Sequence, residues 1–372
     1  MKRNKTQNKI LKVLFENPNL SRVDLSNVLN INKSTISTNV QRLLDFNFLK
    51  ETSKGNSTPK GGKKPINLML NYDKKLFLGF DISKNYISYA LTNLNLNIIK
   101  YGLKETSISK ENIYYEVNRV LNNLKNYYID KKENKLFSIS ISIHGIIFNN
   151  KITFTPNYDL DKSDFISRLK RENDGVNIYL INEANAAALC EHHFNKYKNL
   201  ASINIRTGIG CGLVINDKLI EGFEGYAGEI GHMIVVPNGK LCRCGNNGCF
   251  EQYCSESADI SYFNTISKEK ISSVQDLTAL YKNGNYAAIE TINRNIFYMS
   301  IGINNLIKII APEIIFINSY LAYNIDNYIE RILKHMNESF KQNVIVEVST
   351  FYKRSTLLGC IYYGIKKFIE NK

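Results

Sequence analysis

The stretch GHMIVVPNGKLCRCGNNGC, Gly231 to Cys249, restricts the fold more than any other part of the chain. It places His232, Cys242, Cys244 and Cys249 on one short loop. Four soft or borderline ligands at this spacing match a tetrahedral Zn2+ site. Gly239, Gly245 and Gly248 let the backbone turn sharply enough for them to converge. Free thiols in a glycine-rich loop are the alternative, and they account less well for four ligand groups at loop spacing. Four protein ligands leave no position open to water, so the zinc is expected to be structural. Glu229 precedes His232 by three residues and Glu251 follows Cys249 by two. Acids and an imidazole that converge without basic partners suit the hydroxyl donors of a neutral polyol. Solvated or helix-capping acids would be the plainer reading. The count of seven cysteines is odd. With three of them clustered, it fits a reducing cytoplasm better than a disulfide framework. No run approaches the length of a membrane span, and MKRNKTQNKILKVLF reads as folded protein, not as a signal peptide.

The charge is uneven. Of the net +14, residues 1–64 hold +9, from 13 Lys and Arg against 4 Asp and Glu. Lysine is common along the whole chain, but general abundance does not concentrate the excess at one end. Ile10, Leu11, Val13 and Leu14 recur at helical spacing before Pro18. Ser21 caps a second helix carrying Val23, Leu25 and Val28. After the turn NIN, a third helix runs from Lys33 to Phe46 with Ile36, Val40, Leu43 and Leu44 inward. Its outer face presents Lys33, Ser34, Thr35, Ser37, Thr38, Gln41 and Arg42, side chains that reach base edges and phosphates in a major groove. FLKETSKGNSTPKGGKKP then reads as a hairpin wing whose Lys60, Lys63 and Lys64 suit phosphate contacts. A trihelical protein-interaction module is the alternative. The charge bias and the basic wing favour operator DNA as the partner.

Beyond Pro65 strands alternate with helices. LFLGFDI (76–82) is a buried strand, ISYALTNLNLNIIKY reads as two strands around a turn, and LFSISISIHGIIF as one long strand. Ile113, Val117, Val120, Leu121, Leu124 and Tyr128 mark an amphipathic helix. After the strand NIYLIN (177–182), ANAAALCEHHF is a helix with a small-residue face, so a neighbour packs closely on it. A second strand–glycine unit opens at ASINIRTGIGCGLVIN, with later strands in APEIIFINS and VIVEVST and a final apolar helix in LLGCIYYGIKKFI. Two such units imply a duplicated α/β fold with a cleft between its lobes. Phe148, Phe154, Tyr158 and Phe250 are candidates to line it.

The motifs AGEIGH, CRCGNNGCFE, TGIGCG and INEANAAAL together resemble the ROK family of repressors, open reading frames and sugar kinases. SRVDLSNVLNINKSTIS and GGKKPINLMLN resemble its winged-helix repressor branch, above all the xylose repressors of Gram-positive bacteria. The resemblance covers nearly the whole chain. It implies a winged helix-turn-helix over residues 1–65, followed by a two-lobed, actin-like sugar-binding domain. Lobe 1 would span 76–186, completed by a C-terminal helix at 357–372, and lobe 2 would span 187–356 with the zinc loop. It also implies sugar contacts from Asn182, Glu183, Glu229, His232 and Glu251, with Asn157 of TPNYDL as a further candidate. His232 would serve both zinc and sugar.

Three departures from the family's kinases imply that the chain is not an enzyme. Position 183 is Glu where the kinases use a catalytic Asp, and the extra methylene moves the carboxylate by about 1.5 Å, enough to cost about a hundredfold in rate. The first phosphate loop, Asp81 to Tyr86, has neither glycine nor threonine, so its backbone cannot cradle phosphate. Asn318 and Ser319 stand where glycines usually face adenine. Gly208-Ile209-Gly210 of the second loop remains. The expectation is a repressor that binds operator DNA as a homodimer or homotetramer and is released by a monosaccharide, xylose. The alternatives are a ROK sugar kinase with a fused DNA-binding domain, and a constitutive DNA-binding protein with a relic sugar site.

Overall fold

The computed structural model describes residues 3–54, 64–72, 75–129, 135–156, 158–336 and 344–370. Three helices open the chain: α1 (Lys5–Glu16), α2 (Arg22–Leu29) and α3 (Lys33–Asp45). Each has a side-chain N-cap, from Asn4, Ser21 and Asn32 respectively, and the first two are full capping boxes with Gln7 and Asp24. α1 stops at Glu16 because the residue before Pro18 is steered away from helical geometry. Strands β1 (Leu20–Ser21), β2 (Leu49–Lys54) and β3 (Ile66–Leu70) form a small sheet in the order β1-β3-β2, giving the wing its antiparallel stem. The wing tip, with Lys60 and Lys63, lies outside the described residues. Leu25 is buried as expected, but Val23 and Val28 of α2 are 44% and 61% exposed. Leu25 is the buried residue of α2, and both valines lie on its outer side.

The body repeats one sheet plan twice. The first sheet has the order β10-β7-β4-β5-β6 and comprises β4 (Lys75–Ser83), β5 (Tyr86–Asn93), β6 (Ile98–Glu105), β7 (Lys135–Ile143) and β10 (Asn177–Asn182). β4, β5 and β6 are an antiparallel meander, and β7 and β10 add in parallel. The second sheet comprises β11 (Leu200–Ile205), β12 (Ile209–Ile215), β13 (Lys218–Leu219), β14 (Ile314–Asn318) and β15 (Ile345–Val348). It shows the same plan, a β11-β12-β13 meander with β14 and β15 parallel on the other side. The expected single strand LFSISISIHGIIF is instead two: β7 ends at Ile143 and β8 (Ile146–Phe148) follows, pairing with β9 (Lys151–Phe154). The break falls at His144-Gly145, where Gly145 takes a positive φ of 154° that lets the chain turn.

Helix α4 (Ile113–Leu124) buries its predicted face on the first sheet, and a π-helical turn prolongs it through Tyr128 to Ile129. α5 (Phe165–Glu172) packs beside it. In the second lobe α7 (Glu251–Cys254), α8 (Glu256–Ile266), α9 (Val274–Lys282), the long α10 (Tyr286–Ile310), α11 (Tyr320–Asn324) and α12 (Tyr328–Lys334) surround one core with the second sheet. Two helices join the parts. α6 (Glu183–Asn195) and α13 (Ser355–Glu370) pack side by side, α6 also lying on β11 and β12. The small-residue face of α6 is what permits this. Any side chain at Gly212 of β12 or Gly359 of α13 would collide with the backbone of Ala184 or Ala186. α13 is covered on more sides than a one-faced helix: Leu357, Ile361, Ile365, Phe368 and Ile369 share a single core with Ile10, Leu11 and Leu14 of α1 and Leu43 of α3. The DNA-binding module is therefore cemented to the first lobe, not tethered to it.

Candidate functional site

The outer face of α3 is built from its cap upward. Asn32 Oδ1 accepts from Thr35 N (2.8 Å) and from Ser34 Oγ (2.9 Å), fixing the first turn. Lys33, Ser34, Ser37, Thr38, Gln41 and Arg42 are exposed, and Thr35 is half-buried. Gln41 is steadied by a 2.9 Å bond to Asp45 Oδ1. Arg22 of α2 shares a shallow recess with Ser37, Thr38, Gln41 and Arg42, held 3.3 Å from Glu51. Sequence reasoning missed Arg22. Its signal was its place directly after the N-cap Ser21, at the end of α2 nearest this face. Lys64 is exposed at the base of the wing.

The loop after β13 brings the four proposed ligands together. Ligand atoms of His232, Cys242, Cys244 and Cys249 all lie within 4.8 Å of one another, a set able to hold a metal ion. The backbone bridges Ile234–Cys249 and Leu241–Asn247 close the loop. Gly245 (φ 93°) and Gly248 (φ 86°) make the turns. Gly239 has another reason to be glycine: the hydroxyl of Tyr253 sits where its Cβ would be, and that hydroxyl accepts from Lys240 N at 2.8 Å.

The acids converge beside this loop. Glu251 opens α7, Glu183 opens α6, and Glu229 precedes the short turn bearing His232. His232 Nδ1 lies 3.6 Å from the Cys242 sulfur and 3.9 Å from Glu251 Oε1, while its Nε2 lies 3.9 Å from Glu229 Oε2. One ring nitrogen thus faces the cysteines and the other faces Glu229. The Glu229 side chain is 43% exposed at the cleft, yet its carboxyl is held above the ordinary carboxylate range, first by desolvation and then by the charges of Glu183 and Glu251. Gly208 and Gly210 lie against this group. A side chain at Gly208 would press on Glu251 Oε2, and one at Gly210 on Glu183 Oε1.

Asn182 stands at the end of β10 with its amide fully engaged. Oδ1 accepts from Ala184 N and Asn185 N (2.8 and 3.0 Å), and Nδ2 donates to Gly145 O and Glu183 Oε2 (2.9 Å each). In this structure it caps α6 and aims Glu183. Asn157 lies outside the described residues. His144 places Nδ1 3.9 Å from Glu183 Oε1, a neighbour that sequence reasoning did not name. Of the four aromatics considered for the cleft, Phe250 is a core residue packed on Gly302, and Tyr158 is buried with its hydroxyl bonded to backbone at Ile82 and His144. Phe148 and Phe154 are exposed on the β8–β9 hairpin.

The described geometry has close counterparts among known proteins. A family model described as ROK family matches residues 77–366, and one described as winged helix-turn-helix DNA-binding matches residues 3–46. The chain belongs to the ROK family. A xylose repressor of Bacillus spizizenii is 34% identical over 84% of this chain and 81% of its own length. Another, of Staphylococcus xylosus, is 31% identical over 96% and 93%. In three dimensions the ROK chain superposes on a ROK family transcriptional regulator with a TM-score of 0.81, at 22% identity over 98% of this chain and 96% of that one. A ROK glucokinase from Streptomyces griseus gives 0.67, at 21% identity over 77% and 98%, and so matches without the winged helix. The chain thus has the repressor form of the family, a DNA-binding module joined to a two-lobed sugar-binding fold. No helix among the described residues is long and apolar enough to cross a membrane.

Proposed function

We propose that this chain is a transcriptional repressor whose hold on operator DNA is weakened by a monosaccharide, with xylose as the effector. The observation that carries this reading is the double attachment of α6. Its first residue, Glu183, faces the acid cluster. Near its last turn His193 stacks on Phe15 of α1 (5.5 Å) and on Tyr362 of α13 (4.3 Å). Sugar hydroxyls donate to Glu183, Glu229 and Glu251, and the Nε2 side of His232 completes the ring of partners. A sugar that binds one lobe arrangement more tightly shifts the population toward it. The packed core shared by α1 and α13 carries that shift to the DNA-binding helices. Two copies place two recognition helices on successive half-sites, so the active form is a homodimer or homotetramer.

The metal is Zn2+, in a structural role. Zinc–sulfur bonds of about 2.3 Å set neighbouring tetrahedral ligands roughly 3.3–3.8 Å apart. The Cys244–Cys249 sulfurs at 3.5 Å and the Cys242–His232 pair at 3.6 Å fit that edge. Bound there, the ion would fix the orientation of His232 and of the Glu251 segment. The chain does not transfer phosphate. Glu183 replaces the kinase Asp, and the retained Gly208 and Gly210 are explained by their contact with Glu251 and Glu183, without any nucleotide.

A gel shift on DNA upstream of neighbouring sugar-catabolic genes, at fixed salt, tests the whole reading. Release by xylose and not by other sugars supports it. A complex that no sugar dissolves refutes the effector, and turnover of ATP with any sugar refutes the non-enzymatic assignment.

A further inference from the structure

The loop after β4 and the glycine loop after β11 touch each other through side chains that neither the metal nor the sugar site uses. In the first lobe the Tyr86 hydroxyl donates to Asp81 Oδ2 at 3.0 Å. In the second lobe Arg206 follows β11, and its guanidinium donates to the same Tyr86 oxygen. The guanidinium carbon stands 5.7 Å from the centre of the Tyr86 ring. Arg206 is held in place from behind: its N–H donates to Gly208 O (2.9 Å) and its carbonyl accepts from Glu256 N (2.8 Å). Asp81 is only 2% exposed, and its Oδ1 has no hydrogen-bond partner. A buried carboxylate left alone is costly, so the cation brought from the opposite lobe is its balance. Burial and the Asp81 charge hold the Tyr86 phenol well above its ordinary range, keeping it the neutral link between them.

We infer that Asp81, Tyr86 and Arg206 form an internal latch between the lobes, closing from within the space flanked by the two loops and presetting the lobe arrangement that receives the effector. Arg206 occupies the head of the second loop and Tyr86 the end of the first, so the contact forms only when the lobes are close. A closed state held by the protein itself lowers the cost of closing on a sugar. The bearing on effector affinity rests on the sugar-responsive reading given above; the latch itself does not.

Hydrogen–deuterium exchange on the full-length protein, without sugar, decides the latch. The comparison runs over wild type, Tyr86→Phe, Arg206→Met and the double variant. Exchange in residues 83–86 and 206–208 should rise together by about tenfold in each single variant, and no further in the double. The β11 and α1 amides should stay as in wild type. A rise confined to the loop that was altered, or additive effects in the double variant, would overturn the inference. Tyr86→Phe removes one hydroxyl and keeps the ring, so it carries the comparison should Arg206→Met not fold. Calorimetric titration with xylose then tests presetting: affinity should fall about five- to tenfold in Tyr86→Phe. Unchanged affinity would overturn that role. Wild-type protein that binds no xylose would refute the effector and leave the exchange result to judge the latch.

Discussion

His193 offers a test of the joint between α6 and the DNA-binding module that needs no ligand. Its ring lies between Phe15 and Tyr362, beside Phe194. Burial, with the nearby charges of Lys196 and His192, lowers its pKa from 6.5 to about 4. A histidine depressed on folding contributes stability that is present above its unfolded pKa and is lost as pH falls toward the folded one. The window is therefore pH 6.5 to about 4. Between pH 7.5 and 5 the unfolded chain takes up nearly a full proton at this site and the folded chain almost none. That difference is about 2 kcal/mol unscreened, and about 1 kcal/mol for a half-buried ring. His193→Phe keeps the aromatic stack and removes the titration. Denaturant midpoints at pH 7.5 and 5 should show wild type losing about 1 kcal/mol more than the variant. Glu191 on the same helix, lifted to about 7 by desolvation, has the opposite sign and is common to both proteins, so it cancels in the comparison. Equal pH slopes in wild type and His193→Phe would refute the burial argument and, with it, the rigid joint.

Other outcomes follow from the same geometry. Glu251→Gln or Glu229→Gln should leave operator binding intact and abolish release by sugar; equal sugar response in gel shifts would sink the site assignment. Arg42→Ala and Arg22→Ala should weaken operator binding and each reduce the salt slope of log K by about 1, with sugar binding unchanged in calorimetry. Cys249→Ser should lose the bound metal by elemental analysis and, because the loop positions Glu251, lose sugar affinity as well; retained metal at full stoichiometry would refute the ligand set. His193→Ala should blunt sugar-induced release while sugar affinity holds, a split that a purely structural residue would not give.

Much of this molecule is legible in the chain because local chemistry and global fold agree. The Ser21 cap, the Pro18 stop and most of the alternating strands are short-range signals that the structure uses, and it adds the caps Asn4 and Asn32. The His/Cys cluster able to hold a metal ion is legible for the same reason, since one loop holds all four residues. Other features depend on partners distant in sequence. The run of polar and apolar residues in LFSISISIHGIIF looks continuous, and only the turn at Gly145 divides it. Val23 and Val28 read as core because periodicity counts apolar residues, not the contacts available to them. Phe250 sits beside the acids in sequence, yet packs away from them on Gly302. Arg206 and Tyr86 meet only because of how the two sheets face each other, and His144 reaches Glu183 only because β7 and β10 lie side by side.

The second glycine loop shows how close packing constrains residue type. The chain keeps Gly208 and Gly210, while its first loop reads SKNY, without the glycines that would let backbone amides cradle a phosphate. If the glycines were relics, side chains could return. A Cβ at Gly210 would crowd both Ala184 and the carboxylate of Glu183, and one at Gly208 would press on Glu251, so a side chain at either position requires these neighbours to give way. The glycines therefore make room for Glu183 and Glu251 of the acid cluster, and Gly210 with Ala184 lets α6 lie close on β12. That helix then reaches Phe15 of α1 by way of His193. The same close approach that shapes the acid cluster thus sets the position of the beam joined to the DNA-binding module, the element through which, under the proposed function, a bound sugar would act on operator contacts.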